Sequence, residues 1–322
     1  MSKHLQNCAV ATLIALCPLA AAAQQYPTKP VRFIIPFPPG GPTDMMGRLA
    51  GDILSKAYGQ QFIADNRGGA GGNIGSDICA KAPADGYTIC MLTAAQGISP
   101  GIYRKLPFDP VKDFAHVTLM ALLPSMLTTH PSLPVKNVKD IIALAKSKPG
   151  QLSYASTGNG SSPHMMMELF KYLAKIDMLH IPYKGQAPAV VDQISGQVQL
   201  AFNTAIGVMP HVQANRLKPI AISTKGRFPP MPELPTVAES GLSDFDGSSW
   251  QGVVFPAGTP QDIVTKVHAT LAAELTSAKG KDMLLKRGGI ASGNTPAEFA
   301  AFVKGEVAKW SKIAKAAKVH VD

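Results

Sequence analysis

The chain is poor in the residues that carry chemistry. Only 16% of its 322 residues are charged, and four are cysteine. It holds no C-x-x-C and no H-E-x-x-H, so a resident metal has no support. No G-x-S-x-G elbow is present, which removes the commonest hydrolase signature. His116, His130, His180, His211 and His268 share no spacing, and Asp44 is the only acid in the strand-end turns described below. Paired carboxylates for acid–base catalysis are therefore missing from those turns. The glycines after Arg67 do not fit G-x-G-x-x-G and lack the Lys-Ser/Thr of a phosphate loop, so no nucleotide cofactor is expected. The formal charge is +10, but the lysines are scattered and no basic stretch alternates with aromatics. That pattern fits attraction of small anions, or plain solvated surface, and not nucleic acid.

The first residues read as a signal peptide, residues 1–23, with basic Lys3 and His4, an apolar run from Cys8 to Leu19, and Ala21-Ala22-Ala23 before Gln24. Bulky Leu16 argues against a lipid anchor on Cys17. No later stretch is long and apolar enough for a membrane span, so the mature protein is expected in the periplasm. Cleavage would remove Lys3 and no acid, taking +10 to +9. It would leave Cys79 in a helical stretch and Cys90 in the next strand. In an oxidising compartment these could be bridged, or else serve as two small core residues.

What is present is an alternation of strands and helices with polar, glycine-rich turns between them. Val31-Arg32-Phe33-Ile34-Ile35 reads as a buried strand that runs into Pro36-Phe37-Pro38-Pro39-Gly40-Gly41-Pro42-Thr43-Asp44 and then a helix. With Gly41 as N-cap, Pro42 takes the first helical position, where its missing N–H costs nothing. Thr43 and Asp44 follow with free N–H groups, whose partial positive charge suits a carboxylate, and Asp44 could close a capping box. Leu152 to Ser156 reads as a second such strand, running into Thr157-Gly158-Asn159-Gly160-Ser161-Ser162-Pro163-His164 and a helix. Thr93 with Gln96, and Asn203 with Thr204, mark two further strand ends. Pro124, in the middle of a long strand-like segment from Val117 to Thr129, suits a strand that bends between domains. The Pro-rich stretch Phe228 to Pro235 reads as a return linker. The fold class expected is α/β, a two-lobed clamshell with a ligand cleft between lobes. Residues 24–122 plus 226–322 would form lobe 1 and residues 123–225 lobe 2.

Several of these segments, in order, resemble the Bug family of extracytoplasmic solute receptors, which are associated with tripartite tricarboxylate transporters. They are the Pro36–Asp44 turn, Asn66-Arg67-Gly68-Gly69-Ala70-Gly71-Gly72-Asn73-Ile74-Gly75, Asp85-Gly86-Tyr87-Thr88 and Tyr154 to Ser161. Ile181-Pro182-Tyr183-Lys184-Gly185, Gly196-Gln197-Val198, Pro235 to Glu239 and Pro256-Ala257-Gly258-Thr259-Pro260 complete the set. The missing catalytic constellations read as a non-enzyme, and the resemblance implies a two-lobed, type II-like periplasmic binding protein that captures a small carboxylate and passes it, as a monomer, to membrane permease subunits. The two turns would act as pincers, through Phe37, Gly40, Gly41, Thr43 and Asp44 on one side and Thr157, Gly158, Asn159, Ser161 and Ser162 on the other. Thr93, Gln96, Asn203 and Thr204 would shape the distal end. Asn203 stands where many members carry an acid, which weakens an amino-acid ligand. Two helix dipoles supply up to ~1 kcal/mol each when exposed and about twice that when partly buried. A micromolar ligand needs roughly 8 kcal/mol, so hydrogen bonds must supply the rest. Two other roles fit the same residues: a receptor that signals to a sensor kinase, and an exported hydrolase built on Ser161 or Ser162 with His164.

Overall fold

A computed structural model describes residues 26–321, so the signal-peptide reading lies outside the described residues. The chain runs β1 (Val31–Ile35), α1 (Pro42–Tyr58), β2 (Phe62–Asn66), α2 (Asn73–Ala80), β3 (Thr88–Thr93), α3 (Ala94–Ile102) and the long β4 (Phe114–Thr129). A second run follows: α4 (Val138–Ser147), β5 (Ser153–Ser156), α5 (Ser162–Ala174), β6 (Leu179–Pro182), α6 (Gln186–Ile194), β7 (Leu200–Thr204), α7 (Ala205–Gln213) and β8 (Lys218–Ile222). β9 (Ser248–Pro256) returns the chain, and α8 (Gln261–Thr276), α9 (Ala278–Lys286), β10 (Ile290–Ala291) and α10 (Pro296–Ala317) close it.

The fold is α/β, with a curled sheet in two halves that share β4. One half has the order β2-β1-β3-β9-β4 and the other β4-β7-β5-β6, with β10 and β8 added on β4. Pro124 is the last residue of β4 paired with β9, and Ser125 is the first paired with β7. A residue with no N–H is tolerated there because the ladder changes partner at that point. The flanking strands are parallel, as alternation of strand and helix predicts: β1 with β2 and β3, and β5 with β6 and β7. β9 and β4 instead run antiparallel, because they carry the chain between the halves. In each parallel unit the helix leaves from the C-terminal end of a strand, so the helix N-termini of a half lie along one edge of its sheet.

β3 and β7 are buried along their whole length, as sheets covered on both faces require. One apolar core, with Phe33, Ile35, Met91, Val253 and Phe255, fills the first half. Another, with Tyr154, Phe170, Phe202 and Phe245, fills the second and also takes in Ile98 and Ile102 of α3 and Trp310 and Ala314 of α10. Helix α10 thus binds the halves together. Its Glu306 carboxylate accepts both indole N–H groups, from Trp250 of β9 at 3.1 Å and from Trp310 at 3.0 Å, through the same oxygen, Oε2. Phe228 and Leu234 of the Pro-rich stretch pack on Met126, Val208 and Ile222. Among the described residues no helix is long and apolar enough to cross a membrane.

Cys79 of α2 and Cys90 of β3 are joined by a disulfide, and both are buried in a core cluster with Ile34 and Leu92. The bridge closes a short loop, with a sequence separation of 11. Replacing both cysteines by serine is expected to remove about 3 kcal/mol of stability, read as a lower urea midpoint than wild type. A variant as stable as wild type would show that the bridge constrains nothing.

Candidate functional site

The first turn is built from Gly40 and Gly41. Gly41 is the N-cap of α1 and Pro42 the first helical residue. Asp44, at the third helical position, reaches back one turn and its Oδ2 accepts the Gly40 N–H at 3.0 Å. Arg48 Nε donates to both Asp44 oxygens at 3.0 Å, and Asn66 Nδ2 donates to Oδ1 at 3.0 Å. Burial pushes the Asp44 carboxyl up, but these hydrogen bonds outweigh it and hold it below the usual carboxylate range. Asp44 therefore fastens the turn and does not face a ligand.

The second turn repeats the device with other residues. Ser161 is the N-cap of α5, and His164, again at the third helical position, accepts the Gly160 N–H on Nδ1 at 3.2 Å. Gly40 and Gly160 both take left-handed backbone, at φ +84° and +74°. Ser156 Oγ accepts the Gly158 N–H at 3.2 Å and is bonded to His180 Nε2 at 2.7 Å. Burial lowers both histidines, His164 to about 4 and His180 to about 3, so both are neutral near pH 7.

Five helices aim their N-termini at one cavity of about 100 Å³, room for several waters or a small organic acid. Gly41, Pro42 and Thr43 come from α1, Thr93 and Ala95 from α3, and Ser161, Ser162 and Pro163 from α5. Gly185 and Gln186 come from α6, and Thr204 caps α7. Among the described residues no aspartate or glutamate lines the cavity, and the one charged wall residue is Lys184. Ser161 Oγ, Ser162 Oγ and Gln251 Oε1 are buried there without a hydrogen-bond partner. An outer groove of about 790 Å³ continues from the cavity past Gly68–Gly72, Gly158, Asn159 and Tyr183, and Lys184 lines both spaces. Convergent N–H dipoles, unpartnered hydroxyls and an acid-free wall make a receptacle for an anion.

Of the residues singled out from sequence, Phe37, Gly41, Thr43, Thr93, Thr157, Ser161, Ser162 and Thr204 line this cavity. Gly158 and Asn159 line the outer groove instead. Gly40 and Asp44 stand behind the first turn, bonded to each other. Gln96 is fully buried and forms a capping box with Thr93, so residues 93–96 are the first turn of α3 and not a loop. Asn203 is also buried, its amide donating to Thr128 Oγ1 at 3.0 Å and Gln193 Oε1 at 2.8 Å. Neither of these two amides reaches the cavity. The residues not foreseen are Ser249 and Gln251 of β9 and Gln186 of α6. Gln251 Nε2 donates to Thr43 Oγ1 at 3.2 Å, and Gln186 Oε1 accepts from Thr204 Oγ1 at 2.6 Å. Ser249 and Gln251 open β9, where the sequence has only a single apolar residue, Trp250, among polar ones before Val253.

A family model described as the tripartite tricarboxylate transporter family receptor matches residues 46–319. An R. palustris protein solved with adipate is 38% identical, with a TM-score of 0.89 over 92% of this chain and 99% of that one. The periplasmic binding protein BugD is 31% identical, with a TM-score of 0.87 over 92% and 99%. MatC from Rhodopseudomonas palustris, solved with bound malate, is 29% identical, with a TM-score of 0.85 over 89% and 99%.

The glycine cluster closes the outer rim. A Cβ on Gly71 (φ +65°) would stand 2.7 Å from the Asn159 carbonyl oxygen, while one on Gly59 (φ +68°) would meet nothing within 4 Å. Gly59→Ala is expected to cost about 1 kcal/mol for left-handed backbone alone, and Gly71→Ala roughly twice that, because the two rims must also separate. Equal losses in urea unfolding would show that the rims do not bear on each other.

Proposed function

Because the chain belongs to the tripartite tricarboxylate transporter receptor family, we propose that it is a periplasmic solute receptor that captures a small carboxylate and delivers it to a membrane permease of that class. One observation carries the reading. Five helix N-termini and three unpartnered polar atoms, Ser161 Oγ, Ser162 Oγ and Gln251 Oε1, meet in a cavity without a single acid in its wall. Backbone N–H groups of α1 and α5, with the two serine hydroxyls, grip one carboxylate. Pro38, Pro39, Ala95, Pro163 and Pro188 give the hydrocarbon body of the ligand an apolar wall. At the mouth Lys184 has no ion-pair partner among the described residues, and it supplies the contact for a second carboxylate. That adipate and malate occupy two similar proteins supports a dicarboxylate.

The two expected lobes are proposed with the first crossing at Pro124 of β4 and the return at β9 rather than at residue 226, because Phe228, Leu234 and Phe245 pack in the second half. The chain binds without turnover: His164 Nδ1 is occupied by Gly160, and neither Ser161 nor Ser162 has a histidine partner to activate its hydroxyl. The two termini that grip the carboxylate supply up to ~2 kcal/mol each when partly buried, well short of the roughly 8 kcal/mol of a micromolar complex. Hydrogen bonds to the serines and to trapped water supply the remainder.

The test is calorimetry and thermal shift on refolded, ligand-stripped protein with succinate through adipate, their half-amides and simple monoacids. A dicarboxylate at a hundred times its dissociation constant is expected to add about 2.7 kcal/mol of stability. Lys184→Gln should weaken the dicarboxylates about tenfold and leave monoacids unchanged, while Ser161→Ala with Ser162→Ala weakens both. Failure of every carboxylate to bind would sink the proposal.

A further inference from the structure

The two turns that oppose each other across the cavity are held by one bond in two chemistries. In each, a left-handed glycine just before the N-cap donates its N–H to the side chain four residues on, Gly40 to Asp44 and Gly160 to His164. We propose that His164 is a positioning residue for ligand capture: its unprotonated Nδ1 anchors Gly160, and thereby aims Ser161, Ser162 and the start of α5 into the cavity. The proposal rests on the carboxylate-binding reading of that cavity.

A carboxylate could do this work, as Asp44 does, only with its charge neutralised. Asp44 has Arg48 and Asn66 for that. The second turn has no equivalent, because the nearby Lys171 is committed to Glu168 at 2.9 Å. An acid at position 164 would set a bare charge against the incoming anion. A neutral imidazole accepts the same N–H without that repulsion. The ring is kept in place by its neighbours: His180 stacks on it with centroids 4.0 Å apart, and Tyr154 lies parallel to both, 4.9 Å from His180 and 6.5 Å from His164. The charged and titratable groups facing this stack are Tyr154 on β5, His180 on β6, Glu168 and Lys171 on α5, and Asp177 beyond them. Glu168 is taken up by the Tyr154 hydroxyl and Lys171.

Because a backbone N–H can only donate, Nδ1 must be the bare nitrogen and Nε2 carry the proton. Acid turns Nδ1 from acceptor to donor and sets it against the Gly160 N–H. With folded values of about 4 and about 3 against 6.5 for an ordinary histidine, the neutral pair contributes stability above about 6.5. That contribution is lost as pH falls from there toward 4. Loop geometry, and with it affinity, holds to lower pH and fails as His164 itself titrates.

The test uses adipate as probe. His164→Phe keeps a ring in the stack and removes the acceptor, and is expected to weaken adipate about tenfold. His164→Asn places a carbonyl oxygen near the position of Nδ1 and should recover most of that loss. As pH falls through the His164 range, the ratio of wild-type to H164N affinity should drop, since protonation of adipate is common to both. Equal affinities for wild type and H164F, or a flat ratio, overturn the inference while leaving carboxylate binding intact. If adipate fails to bind even wild type at neutral pH, the carboxylate reading is what suffers. The imidazole state then decides the positioning role by itself. Long-range 15N–1H spectra of the ligand-free protein should show a neutral His164 protonated on Nε2, and a proton on Nδ1 at neutral pH overturns the proposal.

Discussion

Helix N-termini carry partial positive charge, and here five of them are made to face one another. Much else in the molecule answers to that constraint. Parallel strand–helix units place every such terminus at the same edge of a half-sheet, and β4 folds the two halves so that these edges oppose across the cavity. Brought together around nothing, like partial charges repel. Brought together around an anion, they attract it from both sides. The lack of acids in the wall is the same constraint seen from the side chains, since a carboxylate there would neutralise the termini permanently.

That economy also explains how the turns are fastened. Each needs an acceptor for the N–H of a left-handed glycine, and the natural acceptor is an acid. The first turn uses Asp44 and hides its charge under Arg48 and Asn66. The second uses an imidazole, whose neutrality is secured by burial. The sheet thus presents two geometrically alike grips without presenting a negative charge at either.

Much of this was legible because it is local. Gly41-Pro42 announces a helix start at a strand's end, and Ser161 to His164 announces another, so the two opposing turns could be read directly. What escaped is long-range. Asn203 looks like a site residue until Thr128, from a strand 75 residues earlier, takes its amide inside the sheet. Gln96 looks like a loop amide, but its own capping box buries it. Ser249 and Gln251 reach the cavity only because β9 is inserted between β3 and β4, a pairing no local pattern encodes. The disulfide was an open alternative for a similar reason: the residues Cys79 and Cys90 mark a possible bridge, and the helix–strand packing that closes it is tertiary.

The shared carboxylate of Glu306 has a consequence in light. The chain has two tryptophans, and both donate to the same oxygen, one from β9 beside the first core and one from α10 in the second. Neither indole lines the cavity. The tryptophan emission of this protein is therefore a signal from the joint between its halves, set by one buried carboxylate.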